Sequence, residues 1–390
     1  MSNICGEYGI PRKLMMGFGV VGLVIALFLS LTAGSAQASL PMRGPNETLK
    51  LTPPTQTATA TSTQIATATP TQTATATPTA ILMATAVPTS TPVGYLFVPA
   101  IAVDSVNWNQ VDKGQPLEGL LTIEACKDKP ILGGTETGLH RWTGNEWEAL
   151  AGINGPIYDI LFSEDCSAVY VAILGDGVWM IEGQKNPERL GDADSVSTSR
   201  TLALRNGQLF VGTRSGVYMY VNSKWVPVGD FGEVTRLNQQ VGNNRLYATI
   251  WQKEIRYNDS DSCTVLNCPW LTIQPPSGDN RLLHVISYKD GTNERLILGT
   301  SRGLYRRNNS TWAQAQNLTG TVFALAQTSD GKFVFSGIQV KGAWQTTDNG
   351  VTWTQIGSSL NSTTVVDFAI VDNTLYAATY DGGLWRIRFR

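Results

Sequence analysis

Histidine and charge are what this chain has least of. Only His140 and His284 occur in 390 residues, so any serine–histidine–aspartate triad must use one of two positions. Charged residues make up 15% and the net charge is −2, which argues against nucleic acid as the main partner. Cysteine is sparse as well, five in all, and Cys5 stands apart near the N-terminus. The other four, Cys126, Cys166, Cys263 and Cys268, form an even set, as disulfides require. Zinc ligation is the alternative; the cysteine spacing and the two histidines weigh against it.

The front of the chain reads as a targeting segment. Arg12 and Lys13 precede an uncharged run, apolar from Leu14 to about Ala33, and Ala36-Gln37-Ala38 fits a cleavage site. That order of charge directs the downstream chain outward. The run is long for a signal-peptide core and long enough to span a bilayer. Residues 1–40 are therefore expected to be a cleaved signal or a retained membrane anchor, and the remainder is exported. Residues 41–93 are Thr, Ala and Pro with almost no charge. They have no periodic apolar face, so they cannot build a core. A disordered, extended tether is expected there, and a spacer of that length favours the anchor. The threonines are candidate O-glycan acceptors.

Residues 94–390 are built from seven copies of one pattern: an apolar strand, a tight turn closed by glycine, and a second strand. Leu209–Tyr218 and Leu296–Tyr305 are the clearest copies. The glycines are Gly138, Gly177, Gly216, Gly303, Gly342 and Gly383, with Glu254 in the glycine slot of a degenerate fourth copy. The steps are 39, 39, 38, 49, 39 and 41 residues, which is the period of a four-stranded propeller blade. Glycine suits the slot because a tight hairpin needs positive φ; with Glu254 there, blade 4 is expected to use a wider turn. The apolar strands do not alternate, so both faces should be covered, as by neighbouring blades.

Tryptophan repeats in step. Trp147, Trp225 and Trp312 each lie nine residues after a turn glycine, and Trp270 and Trp353 come at longer offsets. They read as packing between blades. The chain ends at Arg390, seven residues past Gly383, so the seventh blade lacks its outer strand. Residues 106–112, around Trp108, resemble residues 223–229, around Trp225, and should supply it, closing the ring. The disulfides expected are Cys126–Cys166, between equivalent positions of adjacent blades, and Cys263–Cys268, within an insertion in blade 4.

Thr346-Thr347-Asp348-Asn349-Gly350-Val351-Thr352-Trp353 matches Ser/Thr-x-Asp-x-Gly-x-x-Trp. On that motif and the period, residues 95–390 resemble the Asp-box (BNR-type) propellers and the looser seven-bladed repeats of bacterial sensor and surface proteins. The resemblance implies an all-β seven-bladed propeller, with the box as a structural turn away from the active face. It says little about function.

The candidate site is the mouth of the central channel. The slot that opens each inner strand holds Asp159, Arg236, His284 and Asp367, with Thr201 beside Arg200, and Leu120 and Phe323 in the remaining blades. Polar residues around trapped channel water would also explain this slot. His140 lies in a slot held elsewhere by Trp179, Tyr218, Tyr305, Trp344 and Trp385, which makes it a packing residue. The inter-strand loops on the same face bring Arg214, Lys253, Arg302 and Lys341, with Trp251 nearby. Glu136, Asp176 and Asp381 face them from the other blades. This split rim suits a polar or acidic ligand.

Two functions fit. The first is a non-catalytic, surface-tethered module that binds a glycan or a partner protein, expected to be a monomer without metal or cofactor. The alternative is a sialidase-like glycoside hydrolase, with Arg200, Arg236 and Arg302 converging on a carboxylate. No tyrosine with a neighbouring carboxylate stands out in the inner strands, and the Arg-Ile-Pro type motif of that family is absent.

Overall fold

The computed structural model describes residues 107–390 apart from 240–244, 260–262, 265–266, 279–280, 291–292, 381 and 390. The expected signal or anchor (1–40), the tether (41–93) and Asp381 lie outside the described residues.

Seven four-stranded antiparallel sheets make an all-β, seven-bladed propeller. Blade 1 runs Leu120–Glu124, Leu132–Thr135, Gly138–Trp142 and Trp147–Asn154, from the channel outward. The inner strands of blades 2 to 7 are Ile157–Phe162, Thr201–Arg205, Val234–Gln239, Leu282–Asp290, Val322–Gln327 and Val365–Val371. Their second strands carry the unbroken apolar runs. Leu246–Ile250 and Val334–Ile338 are buried at every residue, because each is covered on both faces by the blades beside it.

The glycines preceding the hairpin turns keep the blades close. A Cβ on Gly134 would meet Ile157 of blade 2 at 2.6 Å, and one on Gly299 would meet Val322 of blade 6 at 2.6 Å. Apolar clusters fill the interfaces, for example Leu139, Ile153, Ile157 and Val171 between blades 1 and 2. The outer-strand tryptophans add a repeated latch. Three of them donate the indole N–H to a carbonyl of the preceding blade's outer region: Trp225 to Leu190 at 2.7 Å, Trp270 to Val228 at 2.9 Å and Trp312 to Gln274 at 2.8 Å. Trp108 does the same to Ile356 at 2.8 Å across the seam. These rings therefore pack and also lock, as an amphipathic side chain at an interface should.

The ring closes as the repeat count requires. Asn109–Gln110 pairs antiparallel with Gly383–Arg388, Asn109 opposite Arg386 and Gln110 opposite Trp385. Asp112 secures the seam. Its buried carboxylate accepts from the Leu384 N–H at 3.0 Å and from the Trp147 indole N–H at 3.0 Å. A Cβ on Gly383 would stand 2.5 Å from both carboxylate oxygens, so this glycine makes room for the clasp.

Both disulfides form as paired from the sequence. Cys126–Cys166 spans 6.1 Å between Cα atoms and joins the inner hairpins of blades 1 and 2; Cys263–Cys268 staples the blade 4 insertion. The Asp348 side chain ties its turn by accepting from Thr346 Oγ1, Val351 N and Thr352 N at 2.8, 3.1 and 2.8 Å.

Blade 4 departs from expectation. Its turn spans Ile250–Glu254, as long as Ile338–Gly342 in blade 6, and both place a positive φ two residues before the last position, at Gln252 and Val340. Positive φ has moved off the slot, so Glu254 fits there with an ordinary backbone. Its carboxylate then accepts from Arg256 Nε at 2.8 Å.

Candidate binding face and channel

A register shift near the start of the inner strand in six blades decides which residues face the channel. In blade 2 the slip lies between Ile157 and Asp159, in blade 4 between Val234 and Arg236, and in blade 7 between Val365 and Asp367. Equivalent positions are Thr122, Asp159, Thr201, Arg236, His284, Ala324 and Asp367. The expected Leu120 and Phe323 are thus displaced by Thr122 and Ala324. Leu120 is fully buried in the blade 7–blade 1 core. A bulge consumes an extra residue, and apolar patterning alone does not show it.

Four of these side chains, Asp159, Thr201, His284 and Asp367, bond to the next blade. Asp159 Oδ2 accepts from Leu202 N at 2.7 Å, Thr201 Oγ1 from Leu237 N at 3.0 Å and His284 Nδ1 from Leu325 N at 3.2 Å. Asp367 Oδ2 accepts from Thr122 Oγ1 at 2.7 Å and Ile123 N at 3.1 Å. In every case the backbone donor is the residue after the slot in the adjoining blade. Each of these N–H groups is satisfied by the blade before it, as buried donors require.

Arg236 reaches across the channel. Its Nη1 lies 3.5 Å from Asp159 Oδ1 and its Nη2 lies 3.9 Å from Asp367 Oδ1. Burial opposes its charge, but Asp159, Asp367 and Glu124 hold its pKa above the usual range. Burial drives His284 well below its ordinary value, and Arg236 adds to this. The imidazole is neutral; with Nδ1 accepting, its proton sits on Nε2. Burial also raises Asp159 against the pull of Arg236.

Glu124, two residues past the slot in blade 1, was not among the sequence candidates. Burial chiefly, with Asp367 and Asp159 adding repulsion, lifts its pKa to about 8 against the Ala125 N–H bond and Arg236. The channel therefore holds three carboxyl groups around one guanidinium, and at neutral pH Glu124 keeps its proton. The signal was visible as an acid ending the apolar run Leu120-Leu121-Thr122-Ile123.

At the rim the arginines separate. Arg200 Nη1 pairs with Glu233 Oε1 at 2.6 Å, and its guanidinium carbon lies 5.9 Å from the Tyr158 ring centre. Burial lowers its pKa, and nearby Arg214 works in the same direction. Arg302 Nη1 donates to the Gly278 carbonyl at 2.7 Å. Arg200, Arg236 and Arg302 thus hold different partners. Asp176 is bonded to Trp179 and Arg189. Arg214, Lys253 and Arg302 are exposed, and Trp251 is partly exposed. His140 pairs in register with Gly133 on the third strand of blade 1, away from the channel slot.

No family model matches the chain. No curated protein matches it. Solved structures share the fold. The extracellular domain of BT4673 from B. thetaiotaomicron, described as a hybrid two-component system, is 17% identical over 73% of this chain and 40% of that one, with a TM-score of 0.57. The chain thus spans about two fifths of that structure's length. A catalytically inactive variant of virginiamycin B lyase from Staphylococcus aureus with quinupristin is 11% identical over 73% and 99%, with a TM-score of 0.58. The WD40 propeller domain of Doa1 is 11% identical over 73% and 97%, with a TM-score of 0.55. Likeness at these identities is likeness of fold, and it joins the extracellular domain of a two-component system, a lyase variant and a WD40 domain. Function must be argued from the site.

Proposed function

We propose that the chain is an exported, non-catalytic binding propeller whose channel-mouth rim takes a glycan or a partner protein. One observation carries this. The buried polar residues of the channel are committed to one another, whereas the rim above them presents cations and a tryptophan to solvent. Asp159, Asp367 and His284 cap backbone N–H groups, and Arg236 balances two carboxylates. Arg214, Lys253 and Trp251 have exposed surface on loops that can vary without disturbing the blades. The separate partners of Arg200, Arg236 and Arg302 favour binding over a sialidase-like hydrolase, which needs three arginines on one carboxylate. Two disulfides suit an oxidising compartment, and the extracellular domain of a two-component system with the same fold supports that location. The N-terminal segment would tether the propeller to the surface or be removed after export.

The test is binding of the isolated propeller to a glycan array and to surface-protein extracts, repeated with Trp251→Ala and with Arg214→Ala/Lys253→Ala. Affinity should fall about tenfold or more in each variant and decline with salt. Unchanged binding in both variants, or turnover of a sialoside, would overturn this reading.

A further inference from the structure

A second candidate site lies between blades 5 and 6. A cavity of about 240 Å³ is lined by Arg306, Ala313, Gln314, Ala315, Gln316, Gly350 and Val351. One wall is the outer part of blade 5; the other is the turn tied by Asp348. Arg306 stands opposite Ala313 in the strand register. A Cβ at Gly350 would lie 3.0 Å from Ile297 and 3.5 Å from the Arg306 Cδ. Glycine in this turn therefore lets the Arg306 stem run beneath it.

Small residues make the space. Ala313, Ala315 and Gly350 stand where larger side chains would fill it. Val351 is 57% exposed at the lip. Arg306 is partly buried, yet no hydrogen bond or ion pair engages its guanidinium among the described residues, in contrast to Arg200, Arg236 and Arg256. Gln316 is likewise exposed without a partner among the described residues, and Gln314 uses its amide N–H on the Arg302 carbonyl, leaving its oxygen to accept.

We infer that this cavity is a binding site for a small carboxylate that carries hydroxyl groups, of monosaccharide size, with Arg306 as its anchor. A guanidinium presents a planar pair of donors that fits a carboxylate in a fork. The glutamine amides offer donors and acceptors for hydroxyls, and Val351 with the two alanines covers an apolar face. The volume lies below that of pockets for drug-sized ligands, which limits the guest to one small unit. The site shares no residue with the rim, so neither reading depends on the other.

The experiment is titration of the propeller with glucuronate, glucose and inorganic phosphate, read by calorimetry and by chemical-shift changes of the Arg and Gln side chains. Glucuronate should bind at least tenfold more tightly than glucose or phosphate. Arg306→Ala and Ala313→Leu should each weaken it at least tenfold with Tm unchanged, and Trp251→Ala should leave it unaltered. Absence of glucuronate binding, equal binding of glucose, tighter binding of phosphate, or full affinity in either cavity variant would each overturn the assignment.

Discussion

Replacing Glu124 by Gln should stabilise the propeller at alkaline pH and remove part of its pH dependence. Glu124 binds its proton at about 8 in the folded chain against an ordinary 4.5. Between those values the folded chain holds a proton that the unfolded chain has released, so stability falls as pH rises through this window. Below 4.5 both states are protonated and the contribution is complete; above about 8 it is gone. At about 1.4 kcal/mol per pH unit the loss amounts to roughly 4–5 kcal/mol. That is an upper bound, because water entering the channel would solvate the ionised carboxylate. Gln is neutral at every pH, and its amide oxygen can still accept from the Ala125 N–H that Glu124 engages at 3.1 Å. Denaturant unfolding from pH 5 to 9 measures the difference directly. Near pH 5 the two proteins should be within about 1 kcal/mol; near pH 9 the variant should lead by about 2–5 kcal/mol. His284 bends both curves the other way below its ordinary value, since its folded form resists protonation, but this cancels in the difference. Parallel curves across the whole range would refute a buried, protonated Glu124.

Three further outcomes test the architecture. Asp112→Ala should cost about 2–4 kcal/mol by leaving the Leu384 N–H and the Trp147 indole without their shared acceptor, and amide exchange should rise first in residues 383–388. Trp108→Phe keeps most of the packing but deletes the bond to the Ile356 carbonyl, so it should lower stability by about 1–2 kcal/mol. Trp108→Ala should cost about 3–5 kcal/mol; unchanged stability in Trp108→Phe would show that the indole N–H contributes nothing. Non-reducing peptide mapping of the exported protein should recover Cys126 linked to Cys166 and Cys263 linked to Cys268, and four free thiols would contradict an oxidising compartment.

The blade count, the swap of residues near Trp108 into the last blade and both disulfides were legible in the chain, because a repeat of near-constant length stacks in only one way. Glycine and tryptophan in fixed phase mark where each hairpin turns and where each blade meets the last. The order of charge and apolar length at the N-terminus is likewise a property of local sequence. Tertiary structure alone decided the channel. Strand pairing puts Thr122 and Ala324 in the slot, two residues past Leu120 and one past Phe323, and linear patterning does not register such slips. Whether Asp159, Asp367 and His284 were free to bind a ligand or spent on the N–H groups of the adjoining blade depended on residues 41 to 244 positions away. The proton on Glu124 is settled the same way. Its pKa comes from burial beside two acids on other blades, and that environment exists only once the ring has closed.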